Sequence, residues 1–263
     1  MVREILRPET IREAQKARAR PGAAYLGGGT WLNANHGAAP TTLISLEKLG
    51  LASIETRASV CRIGAGATFQ QLVDDPAVPE AVRAAAAATA SRTLRNMVTV
   101  GGELGLRPPD SALIPVLVVL EAEVVIAGRR RPVPILEWSR GRSEDLVLGV
   151  LVQDSSQSCA VRCVSRTSHS RRSLVVAASV RAARPFLSGV RVALSDCEGQ
   201  LLRLVEAEER LEGKPLPPKA EIEAIVRHTF APRPDLHASP EFKGYLAGVL
   251  AADLLHALSA RGA

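Results

Sequence analysis

Three consecutive glycines after a short apolar run, Tyr25-Leu26-Gly27-Gly28-Gly29-Thr30-Trp31-Leu32, are the residues of this chain best suited to hold an anion. Glycine lacks a Cβ, reaches positive φ and lets a ligand approach the main chain, and successive N–H groups in such a turn form a concave donor surface. The Thr30 hydroxyl adds a donor. Alone, a Gly triplet more often marks just a tight turn. A second stretch, Arg95-Asn96-Met97-Val98-Thr99-Val100-Gly101-Gly102-Glu103-Leu104, again sets a hydroxyl beside paired glycines after a short β-branched run. The N–H groups of Leu26 to Thr30 and of Thr99 to Gly102, with the Thr30 and Thr99 hydroxyls, suit the gripping of one diphosphate.

Composition narrows the ligand class. Aromatic residues make up 3% of 263 residues, so no base-stacking platform is available for single-stranded nucleic acid. The net charge of +6 arises from 33 basic residues mostly interleaved with 27 acidic ones. Its clusters are Arg129-Arg130-Arg131, Arg140 with Arg142, and Arg166 to Arg172; an acidic partner or anionic cofactor is expected rather than nucleic acid. Cys61, Cys159, Cys163 and Cys197 show no C-x-x-C pair, so buried reduced thiols are expected in place of a metal site. Two thiols share a face if Cys159 to Cys163 is a strand. The N-terminus lacks the apolar core of a secretory signal, and no apolar run reaches the ~18 residues of a membrane span, so cytoplasmic residence is expected.

The elements that must position the two loops follow from pattern. Pro8-Glu9-Thr10 opens a helix over 9–19, and Thr41 to Leu46 reads as a strand. Ser59 to Ile63 is a second strand. Gly64-Ala65-Gly66-Ala67-Thr68-Phe69 then imitates a dinucleotide fingerprint but fails at its third glycine, leaving Thr68 to cap a helix over Phe69 to Val73. The Ala-rich Pro79 to Ala90 is helical by propensity. Asp110 to Leu120 is apolar nearly all round, hence buried, and a helix opening at Asp110 is expected to bend or break at Pro115. Glu121 to Ala127, Leu146 to Val152, Leu174 to Val180, Val190 to Leu194 and Leu201 to Val205 read as strands, with a hairpin-type turn over 196–199. Helices over Pro218 to Thr229 and Pro240 to Ala260 close the chain. The last is capped by Ser239 and carries Phe242, Leu246, Val249, Leu250 and Leu254 on one stripe.

Both Gly motifs resemble those of the FAD-binding subunits of molybdenum hydroxylases, the family of xanthine dehydrogenase and aerobic carbon monoxide dehydrogenase. The family reads roughly A-G-G-T-D-L and then R-N-x-A-T-I-G-G-N-L, against G-G-G-T-W-L at Gly27 to Leu32 and R-N-M-V-T-V-G-G-E-L at Arg95 to Leu104 here. The likeness continues at Pro109-Asp110, at Glu144-Asp145-Leu146-Val147, over Arg162 to Arg172 and at Ala238 to Phe242. It implies an α+β protein: a two-lobed α/β FAD-binding domain of the vanillyl-alcohol-oxidase-like type (1–55 and 56–157), then a C-terminal domain of antiparallel sheet plus helices (158–263).

The resemblance also implies a function. FAD would take single electrons from a [2Fe-2S] subunit and pass them to NAD⁺ or another acceptor, while a large molybdopterin subunit oxidises the substrate. Leu26, Gly27, Gly28, Gly29, Thr30, Trp31, Thr99, Gly101 and Gly102 are the expected diphosphate-loop residues. Asp110 matches a residue at the adenosine end, or else caps the next helix. Leu146 and Val147 match positions near the flavin, or are ordinary core residues. Arg162 matches a cation near the flavin, or is a solvated charge. No Cys-rich loop for an inserted iron-sulfur cluster is present. Two departures matter: Trp31 replaces an acidic residue and either stacks beside the cofactor or packs, and Glu103 replaces Asn and places charge beside a diphosphate. A non-redox scaffold of the same fold is the alternative, and a nucleotide or nucleic-acid binder a more distant one.

Overall fold

The computed structural model describes residues 2–34, 40–89, 91–141, 144–153, 157–167, 170–182, 185–196, 201–234 and 238–261. The chain forms two compact units. One comprises Met1–Val78, Thr89–Arg107 and Glu123–Val152; the other comprises Pro79–Ala88, Pro108–Ala122 and Gln153–Ala263.

The first unit contains two sheets. Strands Glu4–Leu6, Thr42–Ser45 and Ala23–Leu26 run parallel in that order across one. Parallel neighbours need crossover connections, and the helix Ile11–Arg18 supplies the first. Thr10 caps that helix, accepting from the Glu13 N–H at 3.2 Å. Ala14, Ala23 and Ile44 bury against Ala127 and Leu146. The second sheet has the order Ile54–Arg57, Val60–Gly64, Val147–Gln153, Glu123–Ile126, Val133–Pro134. Thr68 forms a capping box at the helix Phe69–Asp74: its hydroxyl accepts from the Gln71 N–H at 3.2 Å, and Gln71 Oε1 accepts from the Thr68 N–H at 2.8 Å.

The second unit is built on an antiparallel sheet, Leu201–Arg203, Arg191–Asp196, Arg172–Val180 and Ser158–Ser165, whose core is aliphatic. Helices Lys219–Thr229 and Pro240–Arg261 pack together, and the latter covers the strand Arg172–Val180. Leu113–Val119, with all seven residues buried, and Glu80–Ala87 belong to the same unit. Buried hydroxyls tie these segments to the sheet: Ser179 donates to the Val119 carbonyl at 2.9 Å and Ser195 to the Ser111 carbonyl at 3.1 Å.

Four expectations need correction. The helix expected from Asp110 starts at Leu113, and Pro115 does not break it. In the first turn Pro115 lacks only an N–H that has no partner within the helix, and the carbonyl its ring would meet lies before the helix. The last strand ends at Arg203, and Val205–Leu211 is a helix. The stripe expected on the final helix is right in part: Leu254 lies in the core and Leu246 and Leu250 pack against it, but Phe242 is exposed, and Ala247, Ala251, Ala252, Leu255 and Leu258 complete the buried face. Apolar residues nearly all round that helix give the pattern no preferred face. The helix expected over Phe69 to Val73 and its cap agree with the structure, as does Ser239, which accepts from the Phe242 N–H at 3.3 Å. The expected turn at 196–199 falls largely outside the described residues, as do Arg142 and Cys197.

Among the described residues no helix is long and apolar enough to cross a membrane. Cys61 is buried and Cys159 and Cys163 are half-buried, none of the three in a disulfide. Burial pushes the Cys159 thiol up to about 12, and raises that of Cys163 against the opposing pull of Arg172.

Candidate functional site

The first Gly loop leaves the carboxyl end of the parallel strand Ala23–Leu26, the end of a parallel sheet at which ligands gather. Leu26 closes the strand by accepting from the Leu46 N–H at 3.1 Å. Gly29 then adopts φ +71°, strained for any residue with a side chain, and Thr30 starts the short helix Thr30–Ala34. Among the described residues, the N–H groups of Gly27, Gly28, Gly29 and Thr30 meet no acceptor. Four adjacent donors are thus left at one turn.

The two motifs are in direct contact. A Cβ on Gly27 would lie 2.7 Å from the Thr99 hydroxyl oxygen, and one on Gly28 would overlap the Met97 carbonyl oxygen and lie 2.5 Å from its carbon. Only glycine lets the loop sit this close to the 97–99 turn. That turn is itself held by the Met97 and Val98 N–H groups, each 2.9 Å from the Leu94 carbonyl. Arg95 braces it, donating to Gln70 Oε1 at 3.0 Å, and Gln70 in turn donates to Asp74 at 2.8 Å.

The second motif differs from the loop that the sequence suggests. Val100–Leu106 is a helix, and the buried Thr99 is its N-cap, accepting from the Gly102 N–H at 3.1 Å. The Val100 N–H donates to Ala67 at 2.9 Å and the Gly101 N–H to Ala65 at 2.7 Å. The donors of Val100, Gly101 and Gly102 are therefore engaged within the chain, and this stretch acts chiefly as a buttress. Gly101 is needed for closeness, because its Cβ would stand 2.8 Å from that of Ala65. Glu103 is half-buried in the first helical turn, where the helix dipole favours a carboxylate.

The remaining expected residues are placed as follows. Leu146 and Val147 are buried, Leu146 in the core that Tyr25 and Leu148 flank. Burial, with the charge of Asp145, raises the pKa of Tyr25 while Arg18 lowers it. Asp110 and Arg162 belong to the second unit. The Asp110 carboxylate lies 3.7 Å from Arg171 and its carbonyl accepts from Arg172 at 2.8 Å. It does not cap the following helix, whose N-cap is Ala112; Ser111 accepts from the Ile114 N–H at 3.1 Å. Arg162 is exposed and donates to the Val161 carbonyl at 3.3 Å.

Sequence reasoning missed Arg107. It ends the helix Val100–Leu106 at φ +52°, and its guanidinium donates to the carbonyls of Trp138, Ser139 and Gly141 while lying 5.3 Å over the Trp138 ring. Trp138, buried, donates to the Leu104 carbonyl at 3.2 Å. The C-terminal end of the helix that buttresses the Gly loop is thereby fixed, as the bonds of Val100 and Gly101 to Ala67 and Ala65 fix its start. A non-Gly residue at a left-handed helix end has no sequence signature.

A family model described as the FAD binding domain in molybdopterin dehydrogenase matches residues 1–153. The uncharacterized protein YgfM of Escherichia coli (strain K12) is 33% identical over 258 residues, 97% of this chain and 95% of that protein. Among solved structures, a carbon monoxide dehydrogenase from Hydrogenophaga pseudoflava superposes with a TM-score of 0.90 at 24% identity, covering 100% of this chain and 99% of that one. Quinoline 2-oxidoreductase from Pseudomonas putida 86 does so at 0.88 and 20%, covering 100% and 98%. At these identities the structural likeness establishes the fold.

Proposed function

The chain belongs to the family of FAD-binding domains of molybdopterin dehydrogenases, and from that premise we propose that it is the flavin-carrying electron-transfer subunit of a molybdenum hydroxylase-type complex. The observation that carries this reading is the turn of four N–H groups at Gly27 to Thr30 that meet no acceptor among the described residues, pressed against Met97 and Thr99 in a space that a Cβ would fill. A run of backbone N–H donors of this kind suits an anion such as a diphosphate. Gly27, Gly28, Gly29 and Thr30 hold the diphosphate, and Thr99, Gly101 and Gly102 hold that loop in place. Leu146 and Val147 contribute apolar wall and exclude water. Asp110 and Arg162 are assigned the adenosine-end and flavin-tuning roles that the resemblance implies.

FAD supplies the exchange between one-electron and two-electron chemistry, from a [2Fe-2S] partner to NAD⁺ or another acceptor. The reading includes a large molybdopterin subunit as the site of substrate oxidation, supported by the match to the FAD binding domain in molybdopterin dehydrogenase. Residues 1–157 carry the cofactor and 158–263 form the C-terminal domain. Anaerobic mixing of the FAD-loaded chain with NADH tests the acceptor. Bleaching of the visible flavin band supports NAD⁺; bleaching by dithionite but not by NADH assigns a different acceptor. A non-redox scaffold of the same fold is the second reading, favoured by Trp31 and Glu103, where the chain departs from the two Gly motifs of the family. A chain that takes up no FAD would establish it.

A further inference from the structure

Tryptophan is scarce in this chain, and its two copies are treated in opposite ways. Trp138 is buried, with its N–H and one ring face satisfied by Leu104 and Arg107. Trp31 is 47% exposed, two residues beyond Gly29 in the short helix that follows the unengaged donors. The loop that carries it is fixed by the contacts of Gly27 and Gly28 with Thr99 and Met97, so its place relative to the donors is set by the fold. A large apolar ring left in water beside an anion-directed turn matches a ligand in which a diphosphate joins flat aromatic rings. Of the two ring systems of FAD, the isoalloxazine is the larger and the more electron-poor. It is therefore the better stacking partner for an electron-rich indole.

We propose that Trp31 covers one face of the isoalloxazine in the flavin-loaded protein, an inference that rests on the flavin reading above. Burying the indole against the ring removes apolar surface from water and shields one face of the flavin, so that acceptors approach from the other. Trp31 is then a cofactor-binding residue of this chain at a position where the related motif carries an acid.

The test uses the full chain with Trp31→Phe and Trp31→Leu, FAD as the probe, and thermal melts of the apo proteins to show that each variant folds. An indole in contact quenches flavin fluorescence by donating an electron to the excited ring. Bound FAD is expected to be dim in the wild type and several-fold brighter in both variants. The leucine variant should also bind FAD roughly 3- to 10-fold more weakly. Unchanged brightness overturns the proposal, whether affinity holds or falls; a fall alone would put the indole on the adenine. Unchanged brightness and affinity together with lost co-purification of partner subunits would make Trp31 a docking residue and equally overturn it. Absence of any visible flavin band in the wild type sinks the underlying reading instead, before the variants are compared.

Discussion

Replacing Gly28 by alanine should separate a loop that needs its glycines from one that merely has them. The new Cβ would overlap the Met97 carbonyl oxygen and stand 2.5 Å from its carbon and 3.3 Å from its Cα. Carbon atoms in ordinary contact lie about 3.5–4.0 Å apart, so the carbon contact alone demands a separation of about 1 Å, and the overlapped oxygen demands more. All the atoms met are backbone, and the 94–98 turn is pinned by its own hydrogen bonds to Leu94, so no side chain can swing aside. Overpacking of this kind costs about 1–3 kcal/mol, and a backbone clash belongs at the upper end. If binding requires the native loop, about 3 kcal/mol appears as a loss of roughly 100-fold in FAD affinity. The apo protein should melt lower by roughly 2–4 °C per kcal/mol. Gly105→Ala is the control: a Cβ there meets nothing within 4 Å, and an exposed helical glycine replaced by alanine should gain about 0.5–1 kcal/mol with FAD affinity unchanged. FAD titration by absorbance and urea unfolding of the apo proteins provide both readings. Wild-type affinity and stability in Gly28→Ala would refute the reasoning.

Thr99→Val should lose about 1 kcal/mol of stability in urea unfolding because the Gly102 N–H loses its acceptor, whereas Thr99→Ser should retain it. Lys243 is fully buried, 3.6 Å from the equally buried Asp196 carboxylate and 2.9 Å from the Arg233 carbonyl. Lys243→Met should cost about 3–5 kcal/mol, read as a lower urea midpoint, and a cost under about 1 kcal/mol would contradict a stabilising role for this buried pair. The thiols give a pH prediction. Since Cys159 is raised to about 12 and Cys163 is also raised, a Cys197→Ser protein should react slowly with Ellman's reagent at about pH 8 and rapidly once unfolded. The sign for stability follows. Above the ordinary thiol pKa of about 8.5 the unfolded chain ionises first, so the contribution of Cys159 is full below that pH and is lost as pH rises toward 12.

Local chemistry was legible in the sequence wherever one residue type decides the backbone. Thr68 and Ser239 cap helices because a hydroxyl before a helical run has few alternatives, and Gly28 and Gly29 mark a turn that no other residue could make so tightly. Tertiary partners were not legible. The Val100 and Gly101 N–H groups looked available because their acceptors, Ala67 and Ala65, come from a turn distant in sequence. The fold therefore converts an apparent second cradle into a brace. Pro115 looked like a break because the helix starts at Leu113, after Ala112, rather than at Asp110. The buried face of the last helix was hidden because alanines line it, and Phe242 carries the stronger hydrophobic signal while facing solvent. Glu80–Ala87 and Leu113–Val119 join the C-terminal unit through packing that no local pattern records.

Titration of the purified chain with FAD, in parallel with FMN and riboflavin, tests the central claim most directly. If the Gly27 to Thr30 turn holds a diphosphate, one FAD should bind per chain, with FMN far weaker and riboflavin weaker still. Equal affinity for all three would show that the diphosphate contributes nothing, and failure to bind any of them would remove the flavin itself.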